Sequence, residues 1–229
     1  MLMLFPYNWD WQVVWEYRSA IVLGLLVTLE LTGVTIIVGT ILGFLVGVFL
    51  AGTDERWVVI RKAVLALIDI VRSLPLLILI LIFNYYSPYV INVGSPFWLA
   101  AFAMSINLAA FIADVFRAAL EGVPRPLVEA GYAVGMTSVT VTRRILIPEA
   151  IRQIIPTIAL LYIDMLKLSS LASVIAVNEL THVSTEISAK TYRFLEVFAA
   201  LAVIYIALVL PFSIWVRRIE KAKWFLKRS

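Results

Sequence analysis

The sequence predicts an all-α integral membrane protein with five membrane-spanning helices, its N-terminus outside and its C-terminus cytoplasmic. Three observations predict it. The first is composition: 62% of the 229 residues are hydrophobic and the mean hydropathy is +0.98, against roughly 45–50% apolar usage in soluble domains. The second is that long apolar runs recur, broken by short polar stretches, at the scale of the ~20 residues that cross a hydrocarbon core. The third is the distribution of the nineteen Lys and Arg residues. With five spans, Arg56, Arg61, Lys62, Arg117, Arg125, Arg143, Arg144, Arg152 and six tail residues share one side, and only Arg18, Lys190 and Arg193 the other. That bias puts the richer side in the cytoplasm. The net charge of +4 therefore reports orientation, and nucleic acid is not implied. No cysteine is present, so neither a disulfide framework nor a thiolate metal site is available.

In chain order, residues 1–18 carry Tyr7, Trp9, Trp11, Trp15 and Tyr17 with three charges. They lack the basic start, apolar core and small-residue cleavage site of a secretory signal, and are expected to lie at the membrane surface. The first span runs from about Ala20 to Ala51, long enough to tilt or project. Its Gly39, Gly43 and Gly47 recur every fourth residue and present one small face to a neighbour. Glu30 inside this span either faces a partner or water, or marks the outer boundary. A loop over 52–62 precedes the second span, about Val64 to Tyr86, where Pro75 predicts a kink and Asp69 and Arg72 stand at ion-pair spacing. Residues 87–96 read as an extracytoplasmic loop. The third span, about Phe97 to Ala119, holds Asn107 near mid-depth, with Asp114 and Arg117 towards the cytoplasmic end as helix-to-helix links.

The longest polar break, 122–155, predicts a folded cytoplasmic knob. A short helix around Glu129 to Val134 ends at Gly135, the residue best able to take a left-handed conformation. Thr137 or Ser138 caps a second helix; Pro148 stops that helix and can open the next, with Glu149 in its first turn near the positive dipole end. A fourth span begins at Ile154 and breaks near Lys167-Leu168-Ser169-Ser170-Leu171. Asp164 lies one turn earlier, either as a substrate or counter-ion group or paired with Lys167. Residues 178–192 read as an outer loop holding His182, the only histidine, with no second base to make it catalytic. The fifth span, Phe194 to about Val216, ends in the basic tail Arg217, Arg218, Lys221, Lys223, Lys227 and Arg228.

Glu129-Ala130-Gly131, three residues, Gly135, nine residues and Ile145-Leu146-Ile147-Pro148 together resemble the EAA loop of ABC importer permeases. Three further stretches resemble the polar amino acid (His/Gln/Arg-type) permeases among them. Arg72-Ser73-Leu74-Pro75 stands where that family has Arg-Gly-Thr-Pro. Ile106-Asn107-Leu108-Ala109-Ala110-Phe111 with Asp114 and Arg117 stands for its Leu-Asn helix, and Lys167-Leu168-Ser169-Ser170-Leu171 for its Lys-Asp-Thr-Ser-Leu. The resemblance implies a type I ABC importer permease fold in a single domain, 1–229, in a bacterial or archaeal cytoplasmic (inner) membrane. It also implies a second permease subunit, identical or related, two ATPase subunits and an extracytoplasmic solute-binding protein. Glu129, Ala130, Gly131, Gly135, Met136, Arg143 and Pro148 would couple to the ATPase. Asn107, Asp164, Glu30 and Ser169 would meet an amino-acid-like substrate, and Asp69, Arg72, Pro75, Asp114, Arg117 and Lys167 would serve structure.

No Gly-x-x-x-x-Gly-Lys-Ser/Thr phosphate loop occurs, so ATP and its Mg belong to the ATPase partner and the chain itself is non-catalytic, with no cofactor of its own. An intramembrane hydrolase would need a nucleophile and base at matching depth. A membrane scaffold would explain the spans and the knob but not Asn107, Asp164 and Lys167 at depth. The departures at Ser73, Leu74, Arg125-Pro126 and Leu168 leave room for an opine, a compatible solute or another derivative as cargo.

Overall fold

The computed structural model describes residues 7–51, 55–90 and 94–226, and among these it is helical with no strand. Part of the aromatic N-terminal segment (1–6), part of each loop (52–54 and 91–93) and Lys227 and Arg228 of the basic tail lie outside the described residues. Ten α-helices follow in order: α1 Gln12–Glu16, α2 Arg18–Ala51, α3 Val58–Ser73, α4 Leu76–Val90, α5 Pro96–Glu121, α6 Arg125–Ala133, α7 Ser138–Val141, α8 Ile147–Leu168, α9 Leu180–Thr191 and α10 Phe194–Leu226. Four helical stretches are long and apolar enough to cross a membrane, and α3 with α4 would make a fifth if that bent pair is one span.

The buried helix is α5. Its Met104, Leu108, Ile112 and Phe116 form the centre of the main core, joined by Leu31 of α2, Leu79 and Ile80 of α4, and Ile154 and Ile158 of α8. The 34 residues of α2 make a rod about 50 Å long, well beyond a hydrocarbon core of ~30 Å. Its glycine stripe meets α5 as the spacing predicts. A Cβ added to Gly39 would lie 2.9 Å from Leu108 Cβ, one on Gly43 2.7 Å from Ile112 Cβ, and one on Gly47 2.7 Å from Phe116 Cδ1. Three small residues on one face thus let two backbones close to a distance no larger side chain allows.

Four expectations need correction. The α3–α4 pair bends by 103° at Ser73–Pro75, with Leu74 extended, so Pro75 makes a corner rather than a kink within one rod. Arg72 pairs not with Asp69 but with Asp114 of α5, at 2.5 Å, and its guanidinium lies over the Phe111 ring. Pro148 does not stop the second knob helix: α7 runs through a wide π-helical turn, Thr142–Leu146, into α8, with Pro148 in the first turn of α8. Proline lacks an N–H and its ring crowds the carbonyl four residues back, here that of Arg144, which a wider turn relieves. Finally, residues 180–191 form the helix α9, against α2 and α10, in place of a loop; Leu180 and Ile187 anchor it in a second apolar cluster with Val13, Ile21, Val197 and Leu201. His182 sits on that helix, half-buried.

Candidate functional site

The knob is built from α6, α7 and the wide turn. Helix α6 ends as a Schellman motif: Gly135 has φ +79°, its N–H donates to Tyr132 O at 2.9 Å, and Met136 N–H donates to Gly131 O at 3.1 Å. Thr137 caps α7, its hydroxyl accepting from Thr140 N–H at 3.3 Å. Gly131 is the buried hinge point of the pair, because a Cβ there would come within 2.8 Å of Ile145 Cδ1 and 3.2 Å of Val141 Cγ2. With those residues inside, Glu129, Ala130, Tyr132, Val134, Val139 and Arg143 are left exposed on one compact surface. Val134 and Val139 are 74% and 76% exposed, an unusual way for a polar loop to present apolar side chains unless another protein covers them.

Away from the knob the polar residues of the long helices fall into separate groups. In the first, Asp114 lies between Arg72 and Arg117, at 2.5 and 2.8 Å, and Arg117 also holds Glu121 at 2.8 Å, so the corner after α3 is tied to α5. In the second, Lys167 Nζ lies 2.7 Å from Asp164 Oδ1 with both side chains about half exposed. One turn on, α8 gives way to a 3₁₀ stretch, Ser169–Ile175, closed by Ala176 in the left-handed region (φ 58°). Beside this break a groove of about 450 Å³ separates α8 from α10, lined by Lys167, Ser170, Tyr205, Leu210, Ser213 and Arg217. Within the break the hydroxyls of Ser169, Ser170 and Ser173 donate back to the carbonyls of Leu166, Lys167 and Ser170, and Ile206, Val209 and Leu210 make most of the groove wall apolar.

The four substrate candidates do not share one cavity wall. Asn107 is buried on α5, Glu30 is exposed twelve residues into α2, Asp164 is held by Lys167, and buried Ser169 donates its hydroxyl to Leu166 O at 2.8 Å. Asp69 is exposed.

Two carboxylates escaped the sequence reading. Glu179, fully buried, caps α9 by accepting from Thr181 N–H at 2.9 Å and His182 N–H at 2.7 Å, and Leu180 N–H donates to Thr28 of α2. Burial pushes the Glu179 carboxyl up, and the two backbone N–H groups pull the other way without cancelling it. Glu196, also fully buried, opens α10. The only sequence signal for either was an acid at the start of a helix, where the dipole favours it.

Residues 39–224 match the family described as "Binding-protein-dependent transport system inner membrane component". The chain belongs to that family. The permease is 30% identical over 216 residues to the glutamine transport system permease protein GlnP of Escherichia coli (strain K12), with 93% of this chain and 97% of that protein covered. It is 32% identical over 223 residues to the octopine transport system permease protein OccM of Rhizobium meliloti, with 90% of each covered. A chain of the crystal structure of an amino acid ABC transporter with histidines matches it at a TM-score of 0.84 and 28% identity, covering 94% of the permease and all of that chain. The MetNI methionine ABC transporter, in an inward facing conformation, shares the fold at a TM-score of 0.76 and 24% identity, over 90% and 97%. As a family member the permease is a non-catalytic membrane subunit of an ABC importer that moves solute by alternating access, and ATP hydrolysis belongs to a separate subunit.

Proposed function

We propose that this permease imports an amino acid or amino acid derivative, as one of two permease subunits, identical or related, fed by an extracytoplasmic solute-binding protein and driven by two ATPases. What supports the reading is that similarity to permeases for glutamine and for octopine runs over nine tenths of the chain, the broken helix and the knob included. The chain forms one domain in a bacterial or archaeal inner membrane, N-terminus outside and C-terminus cytoplasmic, a reading that the Lys and Arg distribution supports. Glu129, Ala130, Gly131, Gly135, Met136, Arg143 and Pro148 seat the ATPase. Asn107, Asp164, Glu30 and Ser169 meet the substrate as the two subunits open and close around it, and the ATPases bias that two-state motion through the knob. ATP and Mg bind on the ATPases.

Uptake of labelled solutes into proteoliposomes holding the assembled transporter and its binding protein tests this. Uptake of a proteinogenic amino acid supports the reading, uptake of an opine supports its derivative arm, and a neutral solute without an amino group as the sole cargo overturns it.

A further inference from the structure

The aromatic N-terminal segment has no part in the transport machinery above, yet it is held by a fully buried carboxylate. Glu196 of α10 accepts from the Tyr7 hydroxyl at 2.5 Å and from Asp10 N–H at 2.9 Å. Arg193 adds a bond to Asn8 O at 2.8 Å and stands 3.5 Å from the same carboxylate. Three backbone or side-chain groups of the segment are thus tied to the first turn of the last span. An acid, normally exposed, is buried here only because each oxygen has a donor.

What this latch presents is a surface of rings. Trp9 and Trp11 stack at 5.4 Å with planes 4° apart, Tyr7 meets Trp9 edge-on, and the Arg18 guanidinium lies 4.8 Å over Trp15. Val13 of α1 is turned inward, whereas Trp11 and Trp15 are 52% and 70% exposed. After the exposed polar residues Glu16, Arg18 and Ser19, the exposed Val22, Leu23 and Leu26 begin the apolar face of α2, a helix long and apolar enough to cross a membrane. Indole rings prefer the level where an apolar span meets the headgroups, with ring edges towards the acyl chains and N–H groups towards water.

We propose that Tyr7, Trp9, Trp11 and Trp15 form an anchor in the lipid headgroup layer on the N-terminal side of the membrane, set at a fixed level by the Glu196 latch. It holds for either orientation of the chain and is independent of the cargo. The partner is the phospholipid surface, met by ring area and not by a headgroup-specific pocket.

Tryptophan emission of the full-length permease in phosphatidylcholine vesicles tests it, with the contribution of Trp9, Trp11 and Trp15 taken as the difference between the wild type and the W9F/W11F/W15F variant. That difference emission is expected to be quenched about threefold more strongly by lipid brominated near the ester than by lipid brominated at the chain end, as for rings at the interface. Quenching by aqueous iodide with none by either lipid would overturn the proposal, and so would insensitivity to all three, which would mean that a protein covers the rings. Glu196→Ala should move the emission towards iodide access while α2 stays inserted. Tyr7→Phe, which deletes a single hydroxyl, should do so more weakly, and keeps the latch testable if the alanine variant does not insert. Unaltered quenching in Tyr7→Phe and in an inserted Glu196→Ala would remove the latch from the proposal.

Discussion

The α2–α5 seam and the α8–α10 groove show two opposite uses of helix packing in one membrane protein. Along the seam, glycines every fourth residue meet Leu108, Ile112 and Phe116, and the two backbones are as close as they can be. Between α8 and α10 the chain instead leaves about 450 Å³ open, with Lys167, Ser170, Tyr205 and Ser213 on its walls. A membrane interior offers helices little hydrophobic drive to associate, so the seam coheres through close approach, which the groove lacks.

The largest expected effect breaks the seam. Gly43→Val puts branched carbons where even a Cβ would lie 2.7 Å from Ile112 Cβ and 2.9 Å from the Ala109 carbonyl, and backbone cannot yield as a side-chain tip can. Little folded protein should survive thermal challenge in detergent size-exclusion chromatography. Gly33→Ala is the control, since nothing stands within 4 Å of that site, and it should match the wild type or exceed it by up to ~1 kcal/mol. Equal melting of both variants would mean that the stripe does not carry the packing.

Next comes the knob. Gly131→Leu drives a long side chain into Ile145 and Val141, which seat α6, and should abolish ATPase co-purification and uptake while the permease remains inserted. Gly135→Ala meets open space and suffers only from φ +79°, a strain of about 1–2 kcal/mol. It should weaken coupling measurably without abolishing it, and Gly135→Asn, which tolerates the left-handed region better than alanine, should lie between the wild type and Gly135→Ala. Undiminished uptake in Gly131→Leu would detach the knob from coupling.

A smaller effect sharpens the contrast at the groove. Asp164 and Lys167 are about half exposed, so their ion pair is worth only ~0–1 kcal/mol of stability. Asp164→Asn should leave thermal melting nearly unchanged while lowering uptake several-fold, on the order of what one lost charge-assisted contact costs a bound solute. Unchanged uptake would make the pair structural.

Local signals were the readable ones. The spacing of Gly39, Gly43 and Gly47, the left-handed Gly135, the Thr137 cap and the break after Lys167 each depend on residues within about two turns, and each stands where the sequence puts it. Partners that come from another helix were not readable. Arg72 has an acid at helical spacing in Asp69, yet α3 packs on α5 and the guanidinium meets Asp114, forty-two residues on. Helix α9 was hidden for a different reason: its polar surface and short length lack the apolar periodicity of a span, and only burial of Leu180 and Ile187 against α2 and α10 makes it helical. The four proposed substrate residues, Asn107, Asp164, Glu30 and Ser169, stand in separate settings within this chain, because each was singled out by its own local polarity and not by a shared neighbour.

The smallest effect concerns Glu179, which joins the seam side to the groove side by capping α9 beside Thr28 of α2. Burial raises its carboxyl above the ordinary range, so the folded permease holds this proton at a pH where the unfolded chain has already released it. The sign follows: its stabilising contribution is complete below the unfolded carboxylate value and is lost as pH rises through the raised folded value. The Glu179 contribution to thermal stability should therefore increase as pH is lowered towards the unfolded carboxylate value. Glu179→Gln cannot titrate, while its amide oxygen still accepts a helix N–H, so the variant should lose this part of the slope and keep α9 capped. Because every other titrating group is common to both proteins, the difference between their pH profiles isolates Glu179. Parallel profiles would mean that the two backbone donors outweigh burial and hold the group as a carboxylate cap throughout.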